Sequence, residues 1–546
     1  DVDQIYMTAL HTFNRLTRSG RGGGWPLTMF LTPQGEPFFG ATYIPARDGD
    51  RGATNGFLTI VKKIDEVWKK DEARIRDDAK TITFYTKQEL EGLRPSATTL
   101  TQVHVAETLD ALEAQFDPEQ GGFGYQEGVD RPKFPEASNL VFLLDYFRHG
   151  DVEERGRAEK MLDLTLRRMA ESGLRDHLGG GFHRYCVDRA WLVPHFEKML
   201  YDQGQLLTVY AAEYERKPND AWKQVVEEMA AFLLREVCSP EGGFYTALDA
   251  ESEGREGAYY IWSEQELRDA LSDAQFKLLR THFDVRNQLL MEGAIVLQRQ
   301  SGALDASKSA DRISEQAWAE LRSALLAVRS KRPRPRTDSK ILTSGNGLAI
   351  GGLANAGRVF KRPEWIDAAA KAADLVLDKL VAADGKLLRT FTAGEARLNA
   401  YVDDYAFLAE GLLALHRASG DVKYRDAARR IVDKQIELFW DNVRGGFYFT
   451  SDDHESLLAR AKQPTDGAEP SANSVSVDVL LDLDRAYPDG KYADYAAKTL
   501  TAHGAILASA PAAAPRMAAA LGRYLREKGP LPAPSEAAAP AEQPEK

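Results

Sequence analysis

Gly121-Gly122-Phe123, Gly180-Gly181-Phe182, Gly242-Gly243-Phe244 and Gly445-Gly446-Phe447 are one tripeptide used four times. The first three phenylalanines lie 59 and 62 residues apart, and the last gap of 203 holds about three more such periods. One glycine turn per helical hairpin, repeated at that spacing, signals a closed or stacked helical array. Trp222, Val225, Val226, Met229, Phe232 and Leu233 form an apolar stripe with charge opposite, and Ala158, Met161, Leu162, Thr165 and Met169 form another that stops at Gly173. Leu140 to Leu144 and Leu348 to Ala356 are instead apolar or small all round. Two such kinds of helix in alternation suit two concentric layers, the inner one buried on both sides. Six hairpins fill residues 96–526, so the expected fold is mostly α, an α/α six-hairpin toroid with its glycine turns at one mouth.

Residues 1–95 read differently. Gly22-Gly23-Gly24-Trp25-Pro26 leads into the β-rich run Leu27 to Leu31. Thr32-Pro33-Gln34-Gly35 turns the chain, and Phe38 to Tyr43 reads as a second strand. A helix follows over about Phe57 to Asp77, with Phe57, Ile60, Val61, Ile64 and Trp68 on one stripe. Helix, X-Pro, hairpin and helix form the second half of a thioredoxin-like α/β domain, in which Pro26 holds the cis-proline position. The Pro, Ala and Glu of residues 527–546 predict a disordered tail.

With 70 Lys and Arg against 82 Asp and Glu, the chain carries a formal charge of −12. That balance argues against nucleic acid or an anionic membrane as partner. The cationic run Lys331 to Arg336 reads as a solvated extended loop rather than a phosphate site. Cys186 and Cys238 are too few and too far apart for a disulfide framework or a zinc cluster, which favours a reducing, cytoplasmic setting. No apolar run is long enough to span a membrane and no signal peptide is visible. The chain opens inside a helix, so its natural N-terminus is expected further upstream.

Titratable and aromatic groups are densest from Gly179 to Asp202. A helix starting at Pro194 would place His195, Lys198 and Asp202 on one face. His183 and His195 suit a base and an acid on opposite faces of a sugar carbon, or else one is a buried, hydrogen-bonded histidine. Neither has the spacing of a metal ligand, so no metal and no cofactor is expected. Glu197 and Asp202 add carboxylates, while Arg184, Tyr185, Trp191, Lys198 and Tyr201 supply binding groups.

Further acids follow. In an extended strand Asp249, Glu251 and Glu253 share a side, and paired carboxylates serve glycoside chemistry; Glu253 alone reads as a solvated turn residue. Asp403 and Asp404 open a helix, one as its cap and the other free to face the mouth. Asn346 stands at another helix start and joins the binding set. Ser471 and Asn473 read as caps, and His454 as a surface histidine.

These residues resemble the spermatogenesis-associated protein 20 family, whose bacterial members are called thioredoxin domain-containing proteins. The resemblance runs from Asp1 to about Arg526 and is most specific in Gly23 to Leu27, Phe38-Phe39-Gly40, Gly179 to Asp202, Asp249 to Gly257, Leu342-Thr343-Ser344 and Asp403-Asp404-Tyr405. It implies a thioredoxin-like domain followed by a toroid similar to six-hairpin glycosidases and N-acylglucosamine epimerases. Two departures stand out. The family's Cys-x-x-Cys stretch lies upstream of Asp1, and Gly345 replaces a family tryptophan that could stack on a sugar ring. Three readings remain open: a sugar-processing site of epimerase or glycosidase type, a redox-linked protein whose toroid recognises a partner, and a non-catalytic binder. A small carbohydrate is the expected ligand.

Overall fold

The glycine turns are built alike because their backbone leaves little choice. A computed structural model describes residues 2–19, 22–91, 99–285, 293–304 and 313–532. In it Gly121, Gly122, Gly180, Gly181, Gly445 and Gly446 have φ between 66° and 83°, a left-handed conformation that a Cβ disfavours. A Cβ on Gly180 would in addition stand 2.3 Å from the Glu228 carbonyl oxygen. Each turn closes with the same backbone pair. Asp117 donates to Gly122 and receives Gly121, and the pattern repeats at Asp176, Ser239 and Asp441. The phenylalanine that follows is buried in all four copies.

The helices are α1 (Val2–Leu16), α2 (Phe57–Glu91), α3 (Gln102–Ala114), α4 (Ala137–His149), α5 (Arg155–Glu171), α6 (Leu200–Arg216), α7 (Asp220–Phe232), α8 (Glu264–Ala270) and α9 (Asp273–His282). They continue as α10 (Glu315–Arg329), α11 (Thr343–Phe360), α12 (Pro363–Lys379), α13 (Val402–Ser419), α14 (Val422–Phe439), α15 (Ala472–Ala486), α16 (Lys491–Ala502), α17 (Gly504–Ser509) and α18 (Pro515–Lys528). Helices α4, α6, α11, α13, α15 and α18 form an inner ring, each touching the next, with α18 closing on α4. Outside it, α5, α7, α12, α14 and α16 each pack on the preceding inner helix, and α3 packs on α18. This is the α/α six-hairpin toroid. Helices α11 and α13 are buried almost throughout, as two-sided burial of their small and apolar residues requires.

Glycine lets three inner helices meet backbone to backbone. A Cβ on Gly352 of α11 would lie 2.5 Å from the Gly204 carbonyl oxygen of α6, and one on Gly411 of α13 would lie 2.2 Å from that of Gly347. The hairpin between α12 and α13 lacks the tripeptide. Ala382 and Lys386 close its turn, and the N–H of Leu387 donates to the Tyr405 hydroxyl at 2.8 Å. The 203-residue gap thus holds one further turn rather than three periods. The rest is an insertion between α7 and α11 carrying α8, α9 and α10 around its own core of Trp262, Phe276, Phe283 and Trp318. Leu178, beside the second glycine turn, belongs to that core and ties the insertion to the ring.

In the thioredoxin-like part, Thr28–Leu31 and Pro37–Ala41 pair antiparallel, and the Trp25–Pro26 peptide is cis. Helix α2 runs beyond the expected Asp77 to Glu91. Its first stripe stays half-exposed, with Phe57 and Val61 open to solvent. Ile75, Ala79, Ile82 and Leu90 further along are the buried face. Leu90 and Ile5 pack against Ala459 and Ala461, which joins this part to the toroid beyond the last glycine turn. The expected boundary near residue 95 lies outside the described residues, as do residues 533–546 of the tail, whose first two residues, Glu527 and Lys528, still belong to α18. No helix of the described residues is long and apolar enough to cross a membrane.

Candidate active site

Each glycine turn delivers the chain to the start of an inner helix, so the N-termini of the inner ring converge on one mouth. Carboxylates gather there: Glu136 precedes α4, Asp202 lies in the first turn of α6, Asp403 and Asp404 in that of α13, and Asp466 and Glu469 precede α15. Helix N-termini favour negative charge, through their free N–H groups and the macrodipole. Burial works against that charge. It pushes Glu469 up to about 8, helped by the neighbouring Asp403 charge. Burial alone lifts Glu136 to about 7 and Asp466 to about 6, and drives Asp202 well above the ordinary carboxylate range.

Arg389 brings a cation to this mouth. Its guanidinium donates to Asp404 Oδ2 at 2.9 Å and to Asp403 Oδ1 at 3.4 Å. Asp404 also accepts the N–H groups of Ser344 at 2.8 Å and Tyr401 at 2.9 Å, so it caps α13 and bridges to α11. Burial, followed by the Asp403 charge, still raises Asp404 to about 7. Asp403 is the less enclosed of the two. Beside Asp202 stands Tyr201, whose hydroxyl is pushed up by burial and then by the Asp202 charge. Arg184 donates to Glu197 at 3.0 Å.

A cavity of about 370 Å³ opens next to these groups. Its wall includes Phe134, Glu136, Ser138, Asn139, Asp202 and Asp466. Phe134 stacks on Tyr185 at 4.6 Å between ring centroids, and Tyr185 on His195 at 5.1 Å, giving a half-exposed aromatic rim. Among the described residues no group of three or more His, Cys, Asp or Glu side chains is arranged to hold a metal ion.

Comparison with known proteins places the chain. A family model named Thioredox_DsbH, described as a protein of unknown function (DUF255), matches residues 1–87. Spermatogenesis-associated protein 20 of Homo sapiens is 34% identical, over 95% of this chain and 70% of that protein. The protein of the same name from Rattus norvegicus is 33% identical over the same shares. The chain belongs to the spermatogenesis-associated protein 20 family. Among solved structures, a cellobiose 2-epimerase from Bacillus thermoamylovorans has a TM-score of 0.49 at 12% identity, covering 78% of this chain and 100% of its own. An unsaturated glucuronyl hydrolase from Bacillus sp. GL1 has a TM-score of 0.44 at 11% identity, covering 79% and 98%.

Several expected site residues serve this family member's fold instead. No helix starts at Pro194. Residues Pro194–His195 and Lys198–Met199 are short strands, and α6 begins at Leu200. Extended chain alternates its side chains, so His195 and Glu197 share the rim, with His195 Nε2 3.4 Å from Glu197 Oε2. Phe196 and Lys198 point into the core. Lys198 donates to Asp176 Oδ2 and to the Gly180 carbonyl, both at 2.7 Å. His183 is buried edge-on between Phe196 and Tyr260, its Nδ1 3.0 Å from the Phe196 carbonyl oxygen. Burial pushes it down to about 3, while His195 stands apart on the rim. Trp191 is also buried, donating to the Gln120 carbonyl oxygen at 3.0 Å.

Asn346 binds backbone. Its amide accepts the Phe244 N–H at 2.8 Å and donates to the Phe244 carbonyl at 2.9 Å. Gln203 does the same for Phe182, and Asn473 for Phe447, which makes Asn473 a clamp as well as a helix-start residue. Asp249 and Glu251 share no strand face: the chain turns at Ala250, Asp249 lies near Arg336, and Glu251 is exposed on a hairpin opposite Glu256. That hairpin reaches the rim, where Glu256 Oε1 lies 2.6 Å from His195 Nδ1. The cationic run is not simply solvated, since Arg332 binds the Ile261 carbonyl at 2.6 Å and Arg334 pairs with Glu236. His454 is enclosed against Tyr401 and bonded to Ser451. Gly345 is buried in the first turn of α11, where a Cβ would touch Leu200 at 3.4 Å. Glu136, Arg389, Asp466 and Glu469 escaped the sequence reading, because each looks like an ordinary loop or cap residue until the ring brings the helix starts together.

Proposed function

We propose that the mouth of the toroid processes carbohydrate by carboxylate acid–base chemistry of the glycoside hydrolase type. The observation that carries this is Glu469, half-buried and pushed up to about 8 by the desolvation of its carboxyl beside the Asp403 charge, with Arg389 bound to Asp403 and Asp404. Glycoside cleavage needs one carboxyl that keeps its proton and one that does not. Glu469 is the donor to the leaving oxygen, and Asp403, 3.4 Å from the Arg389 guanidinium, is the second carboxyl group. Asp404 positions this pair through its bonds to α11 and α13. Tyr201, Arg184 and Asn139 offer hydrogen bonds to hydroxyls, and Phe134 a ring face beside them.

Imidazole chemistry of the epimerase type has less support here, because His183 is enclosed and His195 sits on the rim between Glu197 and Glu256. The test is a panel of mono- and disaccharides and aryl glycosides followed by sugar NMR. New reducing-end signals are expected, lost in Glu469→Gln and Asp403→Asn, with activity falling above a pH of about 8. Epimer signals that survive in Glu469→Gln would overturn the assignment.

A further inference from the structure

We infer that the cavity walled by Glu136, Ser138, Asn139, Asp202 and Asp466 is a subsite for a protonated amine. Resting on the carbohydrate reading above, this makes the ligand of the toroid an amino-bearing sugar rather than a neutral or acidic one.

Every charged side chain on the cavity wall is an acid. The nearby cations are engaged elsewhere. Lys133 binds Asp117 at 2.7 Å and the Gly121 carbonyl at 2.5 Å. Arg184 binds Glu197, and the Arg516 guanidinium pairs with Glu410 and Asp478. Glu136 and Asp202 are only partly satisfied, whereas both oxygens of Asp466 have donors. Glu136 accepts the Asn139 amide on one oxygen at 2.6 Å. Asp466 accepts the N–H groups of Ser471 and Arg516, both at 2.8 Å. Asp202 Oδ2 has no hydrogen-bond partner, and neither does Ser138 Oγ. Both residues are 4% exposed and both line the cavity.

A buried acceptor without a donor is costly, and a native fold rarely keeps one for nothing. An ammonium supplies three donors and a positive charge to such a wall. A carboxylate or phosphate would meet like charge there. Burial raises the affinity of these carboxyls for protons, and the charges of Lys133, Arg184 and Arg516 offset it only in part. A bound ammonium stabilises their ionised forms, so binding releases protons. Phe134 and Pro135 on the same wall leave an apolar face for the sugar ring, and about 370 Å³ accommodates one or two residues of sugar.

Calorimetry and thermal shift on the full chain decide the matter, with glucosamine, N-acetylglucosamine, glucose, glucuronate and ethanolamine as probes. Glucosamine is expected to bind with proton release. N-acetylglucosamine and glucose should bind at least about tenfold more weakly, and glucuronate more weakly still. Asp202→Asn and Glu136→Gln should each weaken glucosamine about tenfold and leave glucose unchanged. If N-acetylglucosamine or glucose matches glucosamine, the amine subsite falls and the carbohydrate reading stands. If ethanolamine binds as well as glucosamine, the subsite stands and the carbohydrate reading falls. If neither amine binds, the inference is wrong.

Discussion

The ammonium of Lys198 ties Asp176 to the carbonyl of Gly180, 2.7 Å from each. Lys133 makes the same tie between Asp117 and Gly121, and Lys462 between Asp441 and Gly445. In all three the aspartate also closes the backbone of its turn. The repeat unit is therefore wider than Gly-Gly-Phe. It comprises an aspartate four residues before the first glycine, a lysine supplied from further along the chain, and an amide from an inner helix that clamps the phenylalanine. In the first copy Thr165 of α5, an outer helix, accepts the Gly122 N–H.

Lys198→Met follows from this tie. Removing one partner of a buried ion pair leaves Arg329 as the cation bound to Asp176 and takes the ammonium from the Gly180 carbonyl. A loss of about 3–5 kcal/mol is expected. Chemical denaturation measures it. A stable variant with impaired ligand binding would return Lys198 to the site.

Asn346→Ala separates the clamp from the binding role in the same way. It strips the N–H and the carbonyl of Phe244, both buried, of their partners. Each orphaned group costs about 1–3 kcal/mol. Lowered melting with unchanged ligand affinity is expected in thermal shift against a bound sugar. Affinity lost at full stability would contradict the clamp.

The inner ring is tested by paired glycine substitutions. Gly411→Ala drives a Cβ to 2.2 Å from the Gly347 carbonyl oxygen, and backbone can relieve that only by moving α13 off α11. Overpacking of this kind costs about 1–3 kcal/mol or more. Gly345→Ala meets only Leu200, at 3.4 Å, and is expected to be neutral or to stabilise by about 0.4–1 kcal/mol through the unfolded state. Melting temperatures that rank the two the other way would refute the backbone contact.

The toroid was legible because its turns need glycine at left-handed positions and its inner helices need small residues, and both demands leave marks on the sequence. Pro26 was legible through the motif around it. The insertion was not, since Trp262, Phe276 and Trp318 have the same helical spacing as any hairpin. His195 and Lys198 were misplaced because i, i+3 spacing was read where the chain is extended; two residues of strand carry too little pattern to show themselves. Lys198 and Asn346 looked like site residues because a buried ion or amide is as polar as a catalytic one. Glu469 stands in the loop before α15 with nothing in its sequence to mark it, and only the neighbouring Asp403 distinguishes it.

Stability should fall as pH rises from 6.5 to 8. In the folded chain Glu469 keeps its proton to about 8, and Glu136 and Asp404 to about 7, against ordinary values of 4.5, 4.5 and 3.8. Between those limits the folded state binds protons that the unfolded state has released, so the slope is negative. Burial pushes His183 and His503 down to about 3 and about 4 from 6.5, which gives the opposite slope, halved at pH 6.5 and fading within about one pH unit above it. Lys198, lowered to about 8 by burial, contributes a rising slope only above that value. The interval between belongs to the carboxyls, each adding at most about 1.4 kcal/mol per pH unit. Denaturation series at pH 6.5, 7 and 8 should show the decline, and Glu469→Gln should flatten it, because an amide does not titrate. A wild-type curve that is level or climbing across this range would mean that Glu469 is already ionised at neutral pH, and it would remove the proton donor from the proposed chemistry.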